Sequence, residues 1–184
     1  LLFFFLEKNN NFSFNYPLTD MKKHDLSIIL LLFFLPFFGQ EVEEIDIHSS
    51  FLDEIKVIKI YLPYGYDENK QRYPLTLVID SESLFDSYVA SAKLFSENKV
   101  VPNQIVIGIT HFQGTDKSKQ YGFNPVNSFP NENSFNTLGF IKEELMPMMK
   151  KKYRITNFKT IVATNLSANF INYFLFDEKP MFNA

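Results

Sequence analysis

The sequence predicts an α/β fold with a mostly parallel sheet flanked by helices, and three observations predict it. Short apolar runs, LTLVI at 75–79 and IVIGI at 105–109, read as strands buried on both faces. Segments with apolar residues at helical spacing, 84–95, 135–153 and 168–176, stand between and after those runs. Polar stretches carrying Gly and Pro separate the two kinds of element.

Taken in chain order, the elements start after a long apolar leader. Residues 1–20 lie upstream of the first Met and read as a non-native extension. From Met21 the chain runs MKKHD, then a 13-residue apolar stretch from Leu26 to Phe38, then Gly39 and the polar QEVEE. Basic residues, a short apolar run and a small residue make residues 21–39 a secretory signal peptide, with cleavage expected near Gly39–Gln40. The run is shorter than the roughly 20 residues a spanning helix needs, and Pro36 interrupts it. Export to the periplasm or the medium is the expectation, with no membrane anchor after signal removal and no Cys for a lipid anchor. The remaining domain is 40–184.

Within that domain, IKVIKIYL (55–62) is rich in β-branched residues and reads as a strand, followed by a turn over PYGYDENKQR (63–72). With the run at 75–79 it gives an early hairpin. A helix over 84–95 and the strand at 105–109 follow, then a polar loop over 111–134. The helix over 135–153 places Leu138, Ile141, Leu145 and Met149 on one face and three lysines near its C-terminal end, where positive charge suits the helix dipole. Pro147 predicts a kink or restart there. A strand over 158–163 then turns tightly into the helix at 168–176.

Composition excludes more than it assigns. The chain has 184 residues, 22 Phe, no Cys and a formal net charge of -3, with a pI of about 5.6. Disulfide scaffolds, Cys-based zinc sites and thiol catalysis are excluded, and there is no electrostatic footprint for nucleic acid. No spacing of His and carboxylates forms a metal motif, and no cofactor motif is present.

Five segments carry a resemblance. IKIYLPYGYDENKQRYPLTLVIDSESLF (58–85), VPNQIVIGI (101–109), GFIKEELMPMMKKKYRI (139–155), IVATNLSANFINYFLF (161–176) and EKPMFNA (178–184) follow one another in a known order. They resemble the esterase branch of the α/β-hydrolase superfamily, which includes S-formylglutathione hydrolases, enterochelin esterases and feruloyl-type esterases. The resemblance implies a partial α/β-hydrolase fold with its C-terminal strands missing, and a carboxylic-ester hydrolase using a Ser, His and acid triad on a small ester or acyl ligand.

The match also shows where the chemistry departs. Segment 161–176 lies ungapped on the family's strand, G-H-S-x-G-G elbow and helix, so that Asn165 takes the nucleophile position. Asn tolerates positive φ, which suits a sharp strand-to-helix turn, but its amide is no acyl-transfer nucleophile. An alternative register reads Asn165-Leu166-Ser167-Ala168-Asn169 as G-x-S-x-G and makes Ser167 the nucleophile. It needs a two-residue slip that spoils the match of Phe170, Tyr173, Leu175 and Phe176, so the expectation for Ser167 is an elbow-filling polar residue. The family's oxyanion hole maps to the backbone N–H of Leu166 and the loop near Ser81 and Glu82, Ser81 replacing the family's Gly.

The acid and base of the triad follow the nucleophile in this family, and no His follows Ala168. The expectation is an incomplete triad in an exported relative of ester hydrolases; the alternative is a non-catalytic binding module or a decayed gene fragment. His111, in a loop after a strand, and His48, near the mature N-terminus, read as surface residues. Glu143 and Glu144 read as charged surface, and no family role carries over to Asp116, Lys117 or Lys119.

Overall fold

The computed structural model describes residues 42–110, 116–122, 124, 131–175 and 180–184. Every described residue belongs to the compact unit Gln40–Ala184. Residues 1–20, expected to be an extension, residues 21–39, expected to be a signal peptide, and His111 lie outside the described residues.

Five strands and five α-helices make up the described part. Strand β1 spans Glu43–Ser49, β2 Glu54–Tyr61, β3 Tyr73–Val78, β4 Ile105–Thr110 and β5 Ile155–Val162. Helix α1 spans Ser81–Glu97, α2 Lys117–Tyr121, α3 Glu132–Gly139, α4 Met146–Lys152 and α5 Asn165–Leu175; a π-helical turn, Phe140–Leu145, joins α3 to α4. The strand order is β1-β2-β4-β3-β5.

The sheet is mixed, which corrects the mostly parallel sheet that the sequence predicts. β1 pairs with β2 and β2 with β4 antiparallel, whereas β3 pairs in parallel with both β4 and β5. Parallel neighbours need a crossover, usually a helix. The connections leading out of β1 and β2 carry none, and among the described residues the helices begin after β3. The early hairpin is therefore β1–β2; β2 and β3 are joined by the 62–72 turn but are separated in the sheet by β4.

Alternation along the central strands sorts side chains to two faces. Ile105, Ile107 and Ile109 of β4 join Leu75, Leu77 and Ile79 in the larger core, which the π-turn, α4 and α5 cover with Phe140, Leu145, Met149, Phe170 and Phe174. Val106 and Val78 point the other way and meet Phe85 of α1. Both faces are thus covered, which explains the unbroken apolar runs of β3 and β4.

Pro147 sits in the first turn of α4, directly after the π-turn. The Met146 N–H reaches back to the Ile141 carbonyl, one residue further than in an α-helix. Proline lacks an N–H and its ring collides with the carbonyl four residues back. Where the sequence predicts a kink or restart, the helix widens by one residue ahead of the proline.

Candidate functional site

β3 and β5 are parallel neighbours that end side by side. Val78 pairs with Val162, and the Ile79 N–H donates to the Val162 carbonyl at 2.9 Å. Beyond these residues both strands turn directly into helices, so the N-termini of α1 and α5 open at the same end of the sheet. α1 can lie close against the sheet because β4 presents Gly108 to it. A Cβ on Gly108 would fall 2.6 Å from Phe85 Cδ2 and 2.7 Å from Ser81 Cβ.

The β5–α5 turn reads Ala163-Thr164-Asn165-Leu166-Ser167-Ala168. Asn165 takes the left-handed conformation, φ 52°, and its side chain is exposed. A strand that must enter a helix within two residues needs such a residue at the apex, and Asn is among the few non-glycine types enriched there. The Ala168 N–H then donates to the Thr164 carbonyl at 3.3 Å.

Beneath the apex lies a buried carboxylate. Asp80, 3% exposed at the end of β3, accepts hydrogen bonds from three residues on two other segments. Lys117 Nζ lies 2.6 Å from Oδ1, while Oδ2 accepts from the Thr164 N–H at 3.4 Å, from Thr164 Oγ1 at 3.3 Å and from the Ser167 hydroxyl. Ser167 Oγ also lies 2.7 Å from the Thr164 carbonyl oxygen, so its hydroxyl is held between two acceptors. Burial on its own would raise the Asp80 pKa; the Lys117 ammonium and the Ser167 hydroxyl outweigh it and hold the carboxyl below its ordinary 3.8. Lys117 also lies 3.9 Å from Glu82 Oε2.

Tyr121, fully buried at the end of α2, packs against Phe170 of α5 with ring centroids 5.0 Å apart. Burial, reinforced by the negative charges of Asp80, Glu82 and Glu54, pushes its hydroxyl well above the ordinary tyrosine range. It stays protonated at any physiological pH.

No family model matches the chain, and no curated protein matches it. Solved structures do. An uncharacterised protein from Capnocytophaga ochracea superimposes with a TM-score of 0.71 at 27% identity, over 78% of this chain and 39% of its own. An IroE-like serine hydrolase from Shewanella oneidensis gives 0.67 at 22% identity, over 77% and 48%. The siderophore hydrolase EstB from Aspergillus nidulans gives 0.62 at 20% identity, over 77% and 55%. The chain has an α/β fold that matches part of the α/β-hydrolase fold.

Its five-stranded mixed sheet is shorter than the eight strands of the full α/β-hydrolase fold, and it spans about half the length of the structures it matches or less. β5 and α5 flank a sharp strand-to-helix turn with Asn165 at its apex. Leu166 is the second residue of α5, while Ser81 and Glu82 open α1, so the structure brings these three backbones to one end of the sheet. The Ser81 side chain is buried, with Oγ 2.9 Å from Thr110 Oγ1, and that of Glu82 is exposed. Ser167 is 2% exposed, one half-turn inside α5.

The other singled-out residues lie elsewhere. His48 is exposed on β1, at the opposite margin of the sheet from β5. Glu143 is exposed, and Glu144 accepts the Ser50 N–H at 2.8 Å. Asp116 caps α2, accepting from the Ser118 N–H at 3.0 Å. Among the described residues, no group of three or more His, Cys, Asp or Glu could hold a metal, and no helix is long and apolar enough to cross a membrane.

Two residues of the site carry no role in the sequence reading. Asp80 is legible there only as the polar end of a buried strand. Lys117 stands 37 positions further on in a polar loop, and nothing in its local pattern points to the carboxylate it meets.

Proposed function

We propose that this α/β-hydrolase-fold chain is an exported relative of the carboxylic-ester hydrolases that binds a small ester or acyl ligand at the elbow without cleaving it. The observation that carries the reading is Asn165, exposed and left-handed at the apex where such enzymes present a nucleophilic oxygen. A carboxamide can donate to or accept from a ligand carbonyl but forms no acyl intermediate.

Ser167 supports the same reading from the other side. Its hydroxyl is buried and turned inward to Asp80 and the Thr164 carbonyl, away from any ligand at the apex. Asp80, held below its ordinary pKa by Lys117, is a poor base for removing the hydroxyl proton. The ligand would lie over the apex, where the helix N-termini of α1 and α5 open and their dipoles favour a carbonyl oxygen or an anion.

The test uses short-chain aryl esters and a fluorophosphonate probe on the purified chain. Expected are intact ester after prolonged incubation, no covalent label, and shifts of the Leu166 and Ser81 amide resonances on titration with the ester. Label or turnover that vanishes in Ser167→Ala would overturn the reading and establish the slipped elbow. Export rests on the apolar run at 26–38 and its basic flank. Expression in a secreting bacterial host should release a protein whose first residue is Gln40 or a close neighbour.

A further inference from the structure

We propose that Asp80 couples α2 to the elbow, so that α2 and the β5–α5 turn keep or lose their places together. The inference stands on the hydrogen-bond geometry and is independent of whether the site binds an ester.

The first ground is what Asp80 does not do. It occupies the N-cap position of α1, where Asp is among the best capping residues, yet its side chain makes no cap hydrogen bond. The carboxylate is turned to other elements instead. Oδ1 takes Lys117 of α2, and Oδ2 takes Thr164 and Ser167 of the elbow. One small group thus ties together segments 37 and 87 residues away in the chain.

The second ground is burial. A carboxylate 3% exposed has little water to replace a lost donor. When Lys117 leaves, the charge remains and must be satisfied by the elbow donors alone, which changes their geometry. When Ser167 is removed, the ammonium of Lys117 carries more of the burden. Contacts that share one buried partner are not independent.

The third ground is a separate link between the same two elements. Tyr121 at the end of α2 is fully buried against Phe170 of α5. A displacement of α2 therefore reaches α5 through packing as well as through the shared charge. Lys117 itself is partly open, with a side chain 42% exposed, so α2 is the end of the link that solvent or a ligand can address.

Amide hydrogen exchange on the full chain tests this, because it reads local opening element by element. The variants are Lys117→Met, which removes the charge and keeps the stem, and Ser167→Ala. Coupling predicts that Lys117→Met speeds exchange of the Ala168 amide and its α5 neighbours as well as of α2, by about fivefold or more. Ser167→Ala should likewise speed exchange in α2, and the double variant should show less than the product of the two effects. Asp80→Asn should loosen both elements at once. If that variant does not fold, the two peripheral ones decide alone. Exchange that rises only in the element carrying the substitution, with effects that multiply, would overturn the proposal.

Discussion

The Phe85 ring occupies the space that a side chain on Gly108 would need. α1 packs on β4 through this contact, and Ser81, at the start of the same helix, would meet the same added Cβ at 2.7 Å. Gly108→Ala should therefore destabilise the fold by about 1–3 kcal/mol through overpacking. Chemical denaturation at neutral pH measures it; an unchanged midpoint would show that α1 shifts without cost.

The stability of the β5–α5 turn should follow how readily the residue at its apex takes the left-handed conformation. Asn165 holds φ at 52°. Asn165→Ala should cost about 1 kcal/mol, since a Cβ without a local hydrogen-bonding group disfavours this region. Asn165→Gly should be neutral or slightly stabilising, since glycine adopts it freely. The order of stability, Gly at or above Asn and both above Ala, is read from denaturation midpoints.

Acid should unfold the protein partly through Asp80. Its folded pKa lies below the unfolded 3.8, so the stability it contributes is complete above that value and is lost as pH falls through the folded pKa. Glu43 behaves alike from an ordinary 4.5, held down by its hydrogen bond to Lys152 against the opposing effect of burial, with Tyr153 as a second donor. Stability should thus be level from neutral pH to about 5 and decline below it. Asp80→Asn should flatten that decline while lowering stability at neutral pH. A decline equally steep in the variant would assign the acid limb to other groups.

Arg154 offers a test at the other end of β3 and β5, just before β5 begins. Its guanidinium lies 3.8 Å from the Tyr66 ring centroid, donates to the Tyr66 carbonyl, and through Nε donates to the Gln71 carbonyl at 3.1 Å. Lysine cannot stack and donate in two directions at once. Arg154→Lys should cost about 1 kcal/mol, visible as a lower denaturation midpoint with an unchanged slope.

How much of this was legible depends on how local the cause is. β3, β4 and α1 announce themselves because their apolar pattern is set by burial on the spot: LTLV, IVIG and the Leu84–Phe95 spacing need no partner to be read. β1 does not. Ile45 and Ile47 alternate with Glu44, Asp46 and His48, a period of two, but acidic residues weaken the strand signal. α2 is five residues long inside a polar loop, too short to show any period. The π-turn follows from a conflict between Pro147 and a carbonyl one turn earlier, where the sequence shows the obstacle and not the way round it. In the site, the left-handed apex at Asn165 is local and legible. The Asp80–Lys117 pair is not, because two polar residues 37 positions apart look like ordinary surface until the fold brings them within 2.6 Å.

The mixed sheet sets an order of assembly. The β1–β2 ladder joins near neighbours across the four residues 50–53, and hairpins of this kind close within microseconds. The β3–β5 ladder joins residues about 80 apart in the chain, and such pairings bear the loop-closure cost before any contact rewards it. Pulse-labelled exchange during refolding should find β1 and β2 amides protected before those of β5. On that order the turn that carries Asn165 would be among the last parts of the molecule to form, and a partly folded chain would have a hairpin and no site.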